Sequence, residues 1–253
     1  MLAALVDGPR TVTEVAGATR LSKATAYRIL ASLGHRSLVI KDETASIYMI
    51  GPGILQFLNG AARAFDSIGP IATEGLRRLK ELTGETAVVH VRLGLNRLCL
   101  AQVESSHDVR YTVQVGSLSP LHVGSTGKIL LAFAANSERD DLVRNLRLER
   151  VTDRTVTDRQ DLLEQLRVVR DQGYAFSVGE RTPGASGLSV PIEGPDGFLA
   201  ALSVIGPSDR LAPDRIDLFL PDLRRVAVEI RMRLGNGGGW DGLKASKTTP
   251  KGR

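Results

Sequence analysis

Two short turns constrain this chain more than any other feature. Gly94-Leu95-Asn96 separates strand-like runs at 86–93 and 97–104, and Gly194-Pro195-Asp196-Gly197 separates runs at 188–193 and 198–205. Connections this short join only antiparallel neighbours, because a parallel pair needs a crossover of a dozen or more residues. The region beyond residue 70 is therefore α+β with an antiparallel sheet, and a doubly wound parallel sheet is excluded. Further strands are predicted at 111–115 and 174–180. Helices are predicted at 71–82 (stopped by Gly84), 128–133 and 213–234. Thr157-x-x-Gln160 resembles a capping box that opens a helix with Leu162, Leu163, Leu166 and Val169 inward, ended by Gly173.

Residues 1–50 carry a different pattern. Thr11 to Glu14 fits the capping box in which the Thr hydroxyl accepts from the Glu14 amide and the carboxylate returns to the Thr11 amide. The short helix it opens turns Val12, Val15 and Ala16 inward and ends near Ala18-Thr19, with Leu21 plugging the turn. Ser22 is a second N-cap. Behind it, Ala26, Ile29, Leu30 and Leu33 follow the spacing of one helix face. The opposite face centres on Ala24, Arg28 and Ala31, flanked by Thr25, Tyr27 and Ser32. Runs at 38–40 and 47–50 flank a polar turn and predict a two-stranded wing. Gly51-Pro52-Gly53 breaks the chain. Ile54, Leu58, Ala61 and Phe65 then share one helical face, which packs either on a twin in a dimer or on its own domain. From Gly235 the chain loses any apolar period, and a disordered tail is expected.

Composition removes several classes. Cys99 is the only cysteine, so an internal disulfide and Cys-rich metal sites are excluded. It reads as a buried apolar filler. No apolar run reaches the roughly 18 residues of a spanning helix, and residues 1–6 are too short for a secretory core, so a cytoplasmic protein with no membrane partner is expected. The net charge is +5, and residues 1–36 hold five Arg or Lys against two acids. The chain carries no His-Glu-x-x-His and no Gly-x-Ser-x-Gly, so no catalytic or metal-ligating residues are assigned and no cofactor is called for. Gly124-Ser125-Thr126-Gly127-Lys128 fails the phosphate-loop spacing, because His122 and Ile129 stand where a glycine and a Ser or Thr are needed. His90 reads as a hydrogen-bonded core residue, and Asp140-Asp141 as solvated charges.

The two-helix unit remains, and it suits double-stranded DNA, since an α-helix fits the major groove. Ser22 and the adjacent amides suit a phosphate, Lys23 and Arg28 supply charge, and Arg28 has the donors to pair with guanine. Ala24 and the Thr25 methyl suit a thymine methyl, with Tyr27 and Ser32 within reach of the backbone.

The arrangement resembles the IclR family of bacterial transcriptional regulators over nearly the whole chain. The front match is Thr11-Val12-Thr13-Glu14-Val15-Ala16, then Leu21 to Leu33 and Tyr48-Met49-Ile50-Gly51-Pro52. The back match is Thr83-Gly84-Glu85-Thr86, Gly127 to Ala132, Gly173-Tyr174-Ala175 and Ala200 to Pro207. The resemblance implies a winged helix-turn-helix over 1–52, a linker helix over 53–69, a GAF-like effector domain over 70–235 and the tail over 236–253. It implies operator DNA and a small organic effector as partners, no enzymatic activity, and a homodimer or dimer of dimers. Carried over by position, Gly124, Ser125, Thr126, Ser177, Gly187, Ser203 and Ile205 would line the effector pocket. Family members that bind small carboxylates tend to carry an acid at the position of Ser177 and a polar group at that of Ile205. Their absence points to an aromatic or otherwise more apolar catabolite. Two departures stand out. The family's first helix is longer than residues 1–6, so a start upstream or a clipped helix is expected. The wing tip Asp42-Glu43-Thr44-Ala45-Ser46 is acidic where relatives often carry Arg or Lys, so no wing contact with DNA is expected. The alternative is a small-molecule-binding or catalytic α+β protein with a non-functional helix-turn-helix.

Overall fold

A computed structural model describes residues 1–56, 68–194 and 199–235. The chain divides into two compact units, Met1–Ala64 and Phe65–Arg253. Most of the predicted linker helix, the Gly194 to Gly197 turn beyond its first residue, and the tail lie outside the described residues.

The first unit opens with a 3-10 turn, Leu2–Leu5, and a two-residue strand β1 (Arg10–Thr11). Helices α1 (Val12–Thr19) and α2 (Lys23–Gly34) follow, then β2 (Val39–Asp42) and β3 (Ile47–Ile50). The Thr11 capping box forms as the sequence predicts: the Glu14 amide donates to Thr11 Oγ1 at 3.3 Å, and the Thr11 amide donates to Glu14 Oε2 at 2.7 Å. The hairpin is not two-stranded, because Arg10 and Thr11 pair with Tyr48 and Ile47 and make a sheet in the order β1-β3-β2. Leu5, Val15, Leu30, Val39 and Tyr48 form the core. Leu21 does not plug the turn. Arg20 ends α1 in the left-handed region (φ 55°), which carries the chain outward and leaves Leu21 40% exposed.

The second unit is a six-stranded antiparallel sheet with helices on both faces. Its elements are α3 (Ile68–Thr83), β4 (Thr86–Leu93), β5 (Asn96–Val103), β6 (Leu118–Pro120), α4 (Gly124–Ala132), α5 (Asn136–Asn145), α6 (Arg159–Gln172), β7 (Ala175–Val178), β8 (Ala185–Glu193), β9 (Leu199–Pro207) and α7 (Ile216–Gly235). The order is β6-β5-β4-β9-β8-β7. Period-two alternation divides the faces. Ala87, Val89, Val91, Leu202 and Val204 pack with Leu76 and Leu79 of α3 and Leu223, Val226 and Ile230 of α7. Residues of opposite parity, including Val88, His90, Ser203 and Ile205, point to the other face, where α4 and α6 pack.

Two expectations fail locally. The 111–115 run forms no ladder; its Val113 amide donates instead to the Gln102 side chain, and the strand beside β5 is β6. Helix α6 is capped by Asp158, not Thr157: the Gln160 and Asp161 amides donate to Asp158 Oδ1 at 2.7 and 3.1 Å. A carboxylate complements the positive helix end better than a hydroxyl one residue further out.

Candidate functional site

Two regions collect chemistry, one in each unit. In the first unit, Ser22 caps α2, with the Thr25 amide donating to Ser22 Oγ at 3.1 Å. Ser22, Lys23, Ala24, Tyr27, Arg28 and Ser32 are all exposed and Thr25 is half-buried, so one continuous outer strip runs along the helix. Neither Lys23 nor Arg28 has a carboxylate within 4.0 Å among the described residues. The inner side rests on Ala26 and Leu30, which are fully buried. Ile29, expected on that inner side, is 36% exposed and lies at its edge. At the tip between β2 and β3, Asp42 Oδ1 accepts from the Thr44 and Ala45 amides, and Lys41 pairs with Glu43. The acidic tip is therefore organised by its own charges.

In the second unit, a cavity of about 140 Å³ opens between the start of α4, the inner face of the sheet and the loops at 109–115 and 179–185. Six of the seven residues expected there line it: Gly124, Ser125, Thr126, Ser177, Gly187 and Ile205. Ser203 does not. It is fully buried behind the wall in a chain of hydroxyls, with Ser189 Oγ at 2.7 Å and Thr126 Oγ1 at 3.0 Å, while Ser125 Oγ lies 2.8 Å from Ser189 Oγ. Gly187 is required beside this chain, since a Cβ there would stand 2.7 Å from Ser125 Oγ. Gly127 is required for the approach of α4 to the preceding loop, since its Cβ would fall 1.9 Å from the Leu121 carbonyl oxygen.

The start of α4 is held by the chain's own side chains. The Gly124 amide donates to Glu180 Oε2 and the Ser125 amide to Ser177 Oγ, each at 2.9 Å. The other Glu180 oxygen accepts from Lys128 Nζ, and both side chains are buried. Lys128 is thus committed to Glu180. The 179–185 loop is fastened by Thr155 Oγ1 to the Glu180 carbonyl at 2.8 Å and by Tyr111 Oη to the Pro183 carbonyl at 3.1 Å.

The opposite wall is cationic. Arg97 is 4% exposed, and its Nη1 donates to the carbonyls of Pro120 and Val123 at 2.6 and 2.7 Å. Its Nε has no partner. Burial, reinforced by Arg181, lowers the Arg97 pKa to about 9. His90 is also buried, but neither ring nitrogen has a partner, which corrects the expectation of a hydrogen-bonded core histidine. Burial and then the charges of Arg97 and Arg181 hold its pKa well below the usual imidazole value. An unpartnered buried polar group costs about 1–3 kcal/mol, so this wall is arranged against stability. Cys99 is buried nearby among Val88 and Val113, and its thiol is pushed up to about 11, chiefly by that burial.

The family model for the C-terminal domain of bacterial transcriptional regulator IclR matches residues 66–232. The chain belongs to the IclR family. The HTH-type transcriptional regulator BhcR of Paracoccus denitrificans is 36% identical over 227 residues, 89% of this chain and 81% of that protein. The crystal structure of the Thermotoga maritima IclR matches with a TM-score of 0.71 at 25% identity, covering 92% of this chain and 95% of that one. The inducer-binding domain of the transcription factor PobR from Acinetobacter, a double mutant in complex with 3-hydroxybenzoic acid, matches with a TM-score of 0.59 at 29% identity. It covers 64% of this chain and 96% of that domain. No described helix is long and apolar enough to cross a membrane, and no cluster of metal-ligating side chains occurs among the described residues.

Against this IclR-family frame, reading the sequence missed His90, Arg97, Glu180 and Arg181 on the cavity wall. One signal was available for two of them. His90 and Arg97 are polar residues at inward positions of otherwise apolar strands, where period two puts them on the same face as Val88 and Cys99. Glu180 and Arg181 sit in a loop with no periodicity to read.

Proposed function

We propose that this protein is an effector-responsive transcriptional regulator that binds operator DNA with its first unit acting as a winged helix-turn-helix. The observation that carries the reading is the α2 strip from Ser22 to Ser32. It is capped, exposed and charged at Lys23 and Arg28, and it is backed by the buried Ala26 and Leu30. A helix so mounted enters a major groove with its N-terminal residues toward the bases and its cap toward a phosphate. The BhcR similarity supports this role, because that relative is named an HTH-type regulator. In this reading the protein acts as a homodimer or dimer of dimers.

The cavity in the second unit is the effector site in this reading. At about 140 Å³ it suits a molecule near the size of benzene, which fills an engineered apolar cavity of about 150 Å³. Val113 and Ile205 give it an apolar side, consistent with an aromatic effector, and the PobR domain supplies a relative with an aromatic acid bound. Effector binding shifts the population between DNA-competent and DNA-incompetent forms. Gel-shift titration on the intergenic DNA upstream of its own gene, with and without small aromatic acids, tests the reading. A retarded band whose midpoint moves with one acid is expected. Absence of any specific band with the full chain at low salt would remove the DNA-binding role.

A further inference from the structure

The proposed effector site has two ends, and their hydrogen-bond accounts differ. At the α4 end, the amides of Gly124 and Ser125 would ordinarily be the place for an anion, since helix N-termini attract negative charge. Here both are already taken, by Glu180 and Ser177. Among the described residues Glu180 is the only carboxylate on the cavity wall, and Lys128 pairs with it. At the β4–β5 end the account is open. Arg97 Nε and both nitrogens of His90 are buried without partners. Arg181 stands exposed at the rim, and among the described residues neither arginine has a carboxylate within 4.0 Å. Two guanidinium groups and an imidazole therefore face one cavity without a paired carboxylate; the charge of Glu180 reaches Arg97 but is shared with Lys128.

Resting on the reading of this cavity as the effector site, we infer that its ligand is an acid whose anionic group sits between Arg97, Arg181 and His90, and whose uncharged end faces the occupied start of α4. One anion there would supply acceptors to Arg97 Nε and a His90 N–H. It would also offset the mutual repulsion of the two arginines and the charge pressure on the imidazole. Arg97 Nη1 is fixed on two carbonyls, which leaves Nη2 and the buried Nε as its donors for a ligand. Arg181 closes over the acid from the rim.

The test uses the full chain and two acid–amide pairs, benzoate with benzamide and propionate with propionamide, titrated calorimetrically at pH 7. Each acid differs from its amide mainly in charge. At least one acid is expected to bind wild type at least tenfold more tightly than its amide. Arg181→Gln should weaken that acid at least tenfold and the amide less than threefold. His90→Leu should weaken the acid by a similar factor. Arg154→Gln removes an exposed arginine outside the cavity and should stay within twofold. Unchanged melting temperatures for Arg181→Gln and Arg154→Gln show that the fold is intact. If an amide binds as tightly as its acid, or if Arg181→Gln and His90→Leu both leave acid affinity within threefold, the placement of the anion is wrong while the effector site stands. If none of the four probes binds wild type, the effector-site reading fails, and this inference fails with it.

Discussion

Glu180 and Lys128 form an ion pair with both partners buried, and the same Glu180 carboxylate accepts the Gly124 amide at 2.9 Å. The pair ties the cavity loop to the first turn of α4. A buried pair contributes little net stability over an apolar substitute, but removing one partner strands the other charge. Glu180→Ala should therefore lower stability by about 3–5 kcal/mol. Paired replacement by Glu180→Leu with Lys128→Met should recover most of that loss. Urea titration of all three proteins, read as midpoint shifts at constant slope, checks this. Equal losses in the single and double variants would mean that the amide contact, and not the charge, is what matters.

His90 makes stability depend on pH in a defined window. Its folded pKa lies well below 6.5, with Arg97 and Arg181 as the charged groups facing it. Below about 6.5 the unfolded chain takes a proton that the folded chain refuses, so the unfolded state binds more protons and stability falls as pH falls. Above that value the contribution is constant. Wild type should thus lose stability between about pH 6.5 and 5, before the carboxylates titrate. His90→Leu should flatten that part of the profile. Thermal melts at half-unit pH steps would show it, and an unchanged slope in the variant would assign the loss to another group.

The Cys99 thiol is 1% exposed and pushed up to about 11. The thiolate is the reactive form, so the native protein should not react measurably with a disulfide reagent at pH 8 over minutes. One equivalent should react in denaturant, because the chain has one cysteine. Fast reaction of the native protein would mean that the β4–β5 face opens locally.

Thr11 carries both halves of a reciprocal cap with Glu14. Thr11→Ala should cost the first unit about 0.5–2 kcal/mol, read by urea unfolding followed through helical circular dichroism. Thr11→Ser should restore most of it. A Ser variant no better than Ala would shift the effect from the cap to the β1–β3 pairing in which Thr11 also takes part.

These contacts show what the sequence made legible. The caps at Thr11 and Ser22, the helix ends at Gly84 and Gly173 and the hairpin turn at Gly94 are local, and local chemistry is written in neighbouring letters. The cavity was half legible. Gly124 to Thr126 adjoin the Gly127 to Ala132 motif and Ile205 lies within Ala200 to Pro207, but the cationic wall is assembled from β4, β5 and a loop some 80 residues further on. Only the sheet order β5-β4-β9-β8 brings these together. Ser203 misled for the opposite reason: its strand position is inward, yet its hydroxyl is bonded to Ser189 and Thr126 and does not reach the cavity. The 111–115 run has strand composition, but its Val113 amide donates to the Gln102 side chain and no ladder forms. The Asp158 cap lay next to a residue pattern that looked equally suitable, and the helix-end field decided between them.

On the α2 strip, Lys23 and Arg28 should behave differently. Lys23 lies in the first turn beside the Ser22 cap, where a phosphate would rest, while Arg28 lies at the centre of the outer strip, where a base edge would be. A phosphate contact adds affinity without regard to sequence and releases counterions; a bidentate base contact adds discrimination. Lys23→Ala should therefore weaken specific and non-specific DNA alike and reduce the salt slope of log affinity by about one. Arg28→Ala should cost about 1–3 kcal/mol on the operator and narrow the gap between operator and random duplex. Fluorescence-anisotropy titrations of both variants on both duplexes, at several salt concentrations, separate the two roles. If Arg28→Ala loses the same factor on random DNA as on operator, Arg28 holds a phosphate, and base reading falls to Ala24 and Thr25.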